Sequence, residues 1–178
     1  MPVDLSERPP KCDYCILGKQ ARSPVPRIRH GEKSKRKLGI IWIDLMGPEA
    51  VESASHKRYL MNIVDDYSSY PWSFPLHSKS DAFPTLQAWA KRTEAQSGEK
   101  IGIICIDVGE LDSKAMELWC NEKGYTLKFT APHTSAHIGH VERMHQTIMN
   151  RMRAMRVQTN LPANCWNKLA MTASYLST

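Results

Sequence analysis

The chain has 178 residues, 42% of them hydrophobic, and a formal net charge of +6. That is enough for one domain with a real core plus an appendage. No apolar run approaches the roughly 18 residues of a membrane span, and residues 1–10 lack the apolar stretch of a secretion signal, which argues against membrane-spanning and secreted classes. The charge is uneven. Residues 1–38 hold ten Lys/Arg against four Asp/Glu, residues 39–178 hold fourteen of each, and residues 143–178 hold five basic side chains and no acid. A basic arm and a late basic helix suit a phosphate backbone.

In chain order, residues 1–38 read as a basic linker, interrupted by Pro9, Pro10, Pro24 and Pro26. Leu38 to Met46 is an apolar run that reads as a buried strand, ended by Gly47-Pro48. Arg58 to Asp65 and Tyr70 to Leu76 read as a hairpin turning at Asp65-Asp66-Tyr67-Ser68-Ser69. The spacing predicts a helix over 80–96, a strand over 101–107, a short helix over 112–122 and a strand over 125–130. A loop over 131–136 leads to a long helix over 137–157, and Pro162 opens a last helix that runs to the chain end, as in a fragment. The first strands can pair antiparallel, whereas the later ones cross over through helices and join in parallel. The expected fold is α/β, a mixed five-stranded sheet flanked by helices.

Three acids stand out. Ile40-Ile-Trp-Ile-Asp44 and Ile103-Ile-Cys-Ile-Asp107 each place an acid at the end of an apolar run, with glycine soon after. Ligands gather beyond the carboxyl ends of strands in open α/β sheets. Glu142 lies beside a stripe of Ile138, Val141, Met144, Ile148, Met152 and Met155 at near-helical spacing. Carboxylates gathered in one place repel, and a divalent cation relieves the repulsion. The alternative is that each strand-ending acid is a turn residue or helix cap.

Asp44-Leu-Met-Gly-Pro48, Val64-Asp-Asp-Tyr-Ser-Ser-Tyr70, Asp107 with Gly109-Glu110, and Pro132-His-Thr-Ser-Ala-His-Ile-Gly-His-Val-Glu-Arg143 occur in that order. Together they resemble the integrase core of copia-type LTR retrotransposons, from about residue 11 onward. The resemblance implies an RNase H-like fold and a catalytic, Mg²⁺- or Mn²⁺-binding set of Asp44, Asp107 and Glu142. It also implies 3′-end processing and strand transfer on DNA, a homo-oligomeric assembly, and a nuclear and cytoplasmic, virus-like-particle setting. Residues 39–178 would be the catalytic core, truncated at its C-terminus. Cys12 and Cys15 resemble the end of the preceding zinc-binding segment and would hold Zn²⁺ only with ligands supplied from upstream.

Two positions depart from the family's pattern. Val108 stands where Asn is usual, and Ile138 where a polar amide is usual. Both remove hydrogen-bonding groups, so a weakened or repurposed DNA-binding or self-associating module is the alternative function, and a nuclease without joining activity is a third. Thr134, Ser135, His137, Arg143, Arg151, Arg153 and Arg156 are candidate DNA contacts. His133, His137, His140 and His145 flank Glu142 and are expected to face DNA or solvent rather than a histidine metal site. Asp65 and Asp66 are expected to be structural, Glu110 to cap the following helix or approach the site, and Trp72, Trp89, Trp119 and Trp166 to lie in the core or an interface. Cys105, Cys120 and Cys165 are expected to be reduced.

Overall fold

The computed structural model describes residues 33–107, 109, 111–130 and 135–177, with backbone alone for residue 130 and residues 135–142. Its strands are β1 (Ile40–Met46), β2 (Tyr59–Asp65), β3 (Pro71–Leu76), β4 (Ile103–Asp107) and β5 (Thr126–Thr130). Its α-helices are α1 (Ala82–Ser97), α2 (Lys114–Lys123), α3 (Ser135–Thr159) and α4 (Trp166–Tyr175). The five-stranded sheet has the order β3-β2-β1-β4-β5. β1 pairs antiparallel with β2 and parallel with β4, β2 pairs antiparallel with β3, and β4 pairs parallel with β5. The expected mixed sheet is therefore present, with the boundaries of the strands and of α1, α2 and α3 within about two residues of their expected places; α4 is shorter than expected, because Ala163–Cys165 after Pro162 form a 3-10 turn and the α-helix spans only Trp166–Tyr175.

Alternation along the strands gives the sheet two distinct faces. On one, Ile41, Ile43, Met61, Ile63, Ile104 and Ile106 pack against Leu86, Trp89 and Ala90 of α1 and Met116, Trp119 and Cys120 of α2. Trp72 meets Trp89 edge-on at 5.2 Å between centroids, and Trp119 meets Tyr125 at the same distance, so these tryptophans are core groups. On the other face Leu60 packs with Ile148, Met152, Trp166 and Leu169, while Trp42, Val64 and Cys105 pack with Met144. The methionine and isoleucine stripe of α3 is what lays that helix on the sheet. Ser113 caps α2 by accepting a hydrogen bond from the Met116 amide, and left-handed Gly98 and Gly124 end α1 and α2.

Asp65 and Asp66 are buried, at 2% and 0% exposure. Asp65 accepts hydrogen bonds from the Leu38 amide and from the amide and hydroxyl of Ser68. Asp66 accepts from the Ser34 amide and the Trp42 indole. These two carboxylates pin the last residues of the basic arm to the β2–β3 turn, which is a structural role. Cys105, Cys120 and Cys165 are free thiols, and burial pushes Cys105 and Cys120 up to about 11. Among the described residues no helix is long and apolar enough to cross a membrane.

Candidate metal and nucleic-acid site

The strand register sets the site. Ile43 pairs with Ile106 across the parallel β1–β4 ladder, so Asp44 and Asp107 come next on neighbouring strands and on the same face. They stand at the carboxyl rim of the sheet, where an α/β fold collects ligands. The Asp107 charge is close enough to act on Asp44. Burial raises the Asp44 carboxyl above its ordinary range, His145 opposes that, Asp107 raises it further, and the Leu45 amide opposes it again. Two hard-oxygen donors that resist sharing negative charge are a fitting donor pair for Mg²⁺ or Mn²⁺.

Glu142 falls within α3, and its side chain lies outside the described residues. Among the described residues no group of three or more His, Cys, Asp or Glu side chains forms a metal cluster, so these residues supply the pair Asp44 and Asp107. Cys12, Cys15, Val108, Glu110, His133 and Thr134 also lie outside the described residues, as do the side chains of Ser135, His137, Ile138 and His140.

The antiparallel side of β1 carries the part that the sequence reading missed. Asp44 pairs with Asn62, and Asn62 pairs with Ser73, so three polar side chains cross one sheet face at one level. The Ser73 hydroxyl donates to Asn62 Oδ1 at 2.6 Å, and Asn62 Nδ2 lies 3.1 Å from His145 Nδ1. That same Nδ1 lies 3.6 Å from Asp44 Oδ2. The His145 side chain is only 15% exposed. Burial pushes the imidazole below its ordinary range, and the nearby Asp44 charge partly offsets this. The expectation that His145 faces DNA or solvent is therefore corrected: it points down onto the sheet. The signal was available, because Val141, His145, Ile148 and Met152 recur at intervals of four, three and four.

The basic side chains on α3 divide. Arg151 donates to the Leu176 carbonyl and the Ser177 hydroxyl, which ties it to the end of α4. Arg153 and Arg156 rim a cleft of about 230 Å³ floored by Met149, Met152, Trp166 and Leu169. At 1.5 Å of rise per residue, they lie roughly 16–21 Å along the helix from position 142. Arg143 is half-buried, one residue beyond Glu142.

No family model matches the chain. It is 33% identical over 169 residues to the retrovirus-related Pol polyprotein from transposon TNT 1-94 of Nicotiana tabacum, covering 93% of this chain and 12% of that protein. It is 26% identical over 167 residues to the retrovirus-related Pol polyprotein from transposon RE1 of Arabidopsis thaliana, covering 93% of this chain and 11% of that protein. The chain thus spans about an eighth of the length of these curated relatives. A solved neighbour is a chain of the simian T-cell lymphotropic virus intasome in complex with the PP2A regulatory subunit B56 gamma. Its TM-score is 0.60 at 18% identity, over 90% of this chain and 55% of that one, a likeness of fold. The sheet, its flanking helices and these relatives agree: the chain has an RNase H-like α/β fold, and its resemblance to the integrase core of copia-type LTR retrotransposons stands.

Proposed function

We propose that this chain is the catalytic core of a retrotransposon integrase, a divalent-metal-dependent polynucleotidyl transferase that processes the 3′ ends of element DNA and joins them to target DNA. The observation that carries this reading is Asp44 beside Asp107 on adjacent parallel strands, with Asp107 raising the proton affinity of Asp44. Asp44, Asp107 and, from α3, Glu142 would hold Mg²⁺ or Mn²⁺. When bound, such ions activate an attacking oxygen and stabilise a leaving one. The chain's own residues position that site and attract the polyanion. Arg143, Arg153 and Arg156, with Thr134, Ser135 and His137, are the side chains we assign to DNA, while Arg151 is engaged by α4. A homo-oligomer acting in a nuclear and cytoplasmic, virus-like-particle setting completes the reading. Cys12 and Cys15 would take Zn²⁺ only with upstream ligands.

The test is a gel assay of the purified chain with duplex oligonucleotides and Mn²⁺ or Mg²⁺. Joined products that disappear in Asp44→Asn and Asp107→Asn support the reading. Shortened products without joining would assign a nuclease. DNA retention without any metal-dependent product would favour the second reading, a binding module weakened at Val108 and Ile138.

A further inference from the structure

The row Ser73–Asn62–His145 has no part in the reading above, although it ends on one of its acids. A sheet face covered by a helix is ordinarily filled with apolar side chains, as Leu60 and Val64 fill it on either side of Asn62. Ser73 and Asn62 are instead buried at 8% and 2% exposure. A buried amide and imidazole cost free energy unless they are hydrogen-bonded, and apolar groups of similar shape would fill the space more cheaply. The row therefore calls for a reason other than packing.

Its hydrogen bonds run in a defined direction. The serine hydroxyl donates to Asn62 Oδ1, which turns the Asn62 amide nitrogen, a donor, toward the imidazole. His145 Nδ1 then accepts, and in the neutral ring the proton resides on Nε2. That atom is buried and has no hydrogen-bond partner among the described residues. Among the described residues the ring is thus held through one nitrogen, and the held edge lies against Asp44. At 3.6 Å the Nδ1–Oδ2 contact is longer than a hydrogen bond. The imidazole edge bounds one side of the Asp44 carboxylate without binding it, while β4 brings Asp107 up on the other.

We propose that His145, braced by Asn62 and Ser73, is a positioning residue that holds the Asp44 carboxylate facing Asp107, in the orientation a shared divalent cation requires. The inference rests on the reading of Asp44 as a metal-binding acid. Groups that orient a metal's ligands affect affinity without touching the ion, typically by about 10–100-fold.

The test is a titration of the full chain with Mn²⁺, followed by the electron paramagnetic resonance signal of free ion, on four proteins: the native sequence, His145→Phe, His145→Asn and Ser73→Ala. Phenylalanine keeps a ring of similar volume but cannot accept from Asn62, so the ring loses the bond that fixes its edge against Asp44, whereas asparagine restores an acceptor near the place of Nδ1. We expect His145→Phe to bind Mn²⁺ at least about 10-fold more weakly, His145→Asn to recover most of the loss, and Ser73→Ala to fall between. Nitrogen-15 spectra of the imidazole add a readout that packing alone does not move: Nε2 protonated and Nδ1 accepting in the native chain, with mixed tautomers in Ser73→Ala. Melting curves establish that each variant folds, and Ser73→Ala decides the matter should the phenylalanine variant not fold. Equal Mn²⁺ affinity in the native chain and the folded variants overturns the inference alone. A native chain that binds no Mn²⁺ overturns the metal reading and the inference together.

Discussion

Replacing Asp107 with asparagine should make the metal-free protein more stable, although it removes a residue assigned to the active site. Neighbouring strands lie about 4.8 Å apart. Two unit charges at that separation repel by about 1 kcal/mol in water and about 3.5 kcal/mol at an effective dielectric constant of 20. The Asp44 side chain is 40% exposed and Asp107 is exposed, so solvent screening favours the lower figure, about 1 kcal/mol. For a chain of this size that is a rise of about 2–4 °C in melting temperature. The sign with pH follows from linkage. The folded Asp44 carboxyl is raised above its unfolded value, so the folded state holds its proton more tightly, and stability is lost as pH rises through that raised value. The gain in Asp107→Asn should therefore be present at neutral pH and vanish on acidification below the ordinary aspartate range. The assay is differential scanning calorimetry across pH with chelator present, then with Mn²⁺. Metal should raise the melting temperature of the native chain and leave the variant nearly unmoved. An Asp107→Asn protein that melts at or below the native temperature at neutral pH without metal would refute the claim that the two carboxylates repel.

Four further outcomes follow from the packing. Ile148→Ala removes a fully buried side chain where α3 and α4 meet β2 and should cost about 2–5 kcal/mol in denaturant unfolding. Asp66→Ala removes an acceptor from the part-buried Ser34 amide and from the Trp42 indole; a loss of about 1–3 kcal/mol is expected, together with a change in tryptophan fluorescence. Gly47 has φ +118°, and an added Cβ would lie 2.6 Å from the Arg58 carbonyl, so Gly47→Ala should lower the melting temperature and disturb the loop just beyond Asp44. Among Cys105, Cys120 and Cys165, alkylation followed by mass spectrometry should label half-buried Cys165 first, because burial shields the other two from reagent and pushes their thiols up to about 11.

Much of the fold was legible because its signals are local. Ile40-Ile-Trp-Ile and Ile103-Ile-Cys-Ile are strand-forming runs, Gly98 and Gly124 stop helices, and the α3 stripe repeats at helical spacing. The ladder edges were less legible. Leu38 and Ile101 continue the apolar runs, yet they lie just outside the strands, because an apolar run records burial and not where a ladder begins. Leu38 takes φ +57°, a turn that sequence alone does not announce for leucine. The polar row was hidden for a different reason. It depends on register between Asn62 and Ser73, eleven residues apart, and on a contact between Asn62 and His145, 83 residues apart. Asn62, a lone amide inside Leu60-Met-Asn-Ile-Val64, was the available hint. Arg151 was similarly opaque, since its partners, Leu176 and Ser177, follow α4 some 25 residues away.

The central claim is that residues 44 and 107 share a cation at the rim of β1 and β4. Anomalous diffraction from crystals grown with Mn²⁺ tests it most directly. We expect a peak with carboxylate oxygens of both Asp44 and Asp107 at about 2.1 Å, the distance a small hard cation demands. Clear density for both side chains with no anomalous peak between them would contradict the account.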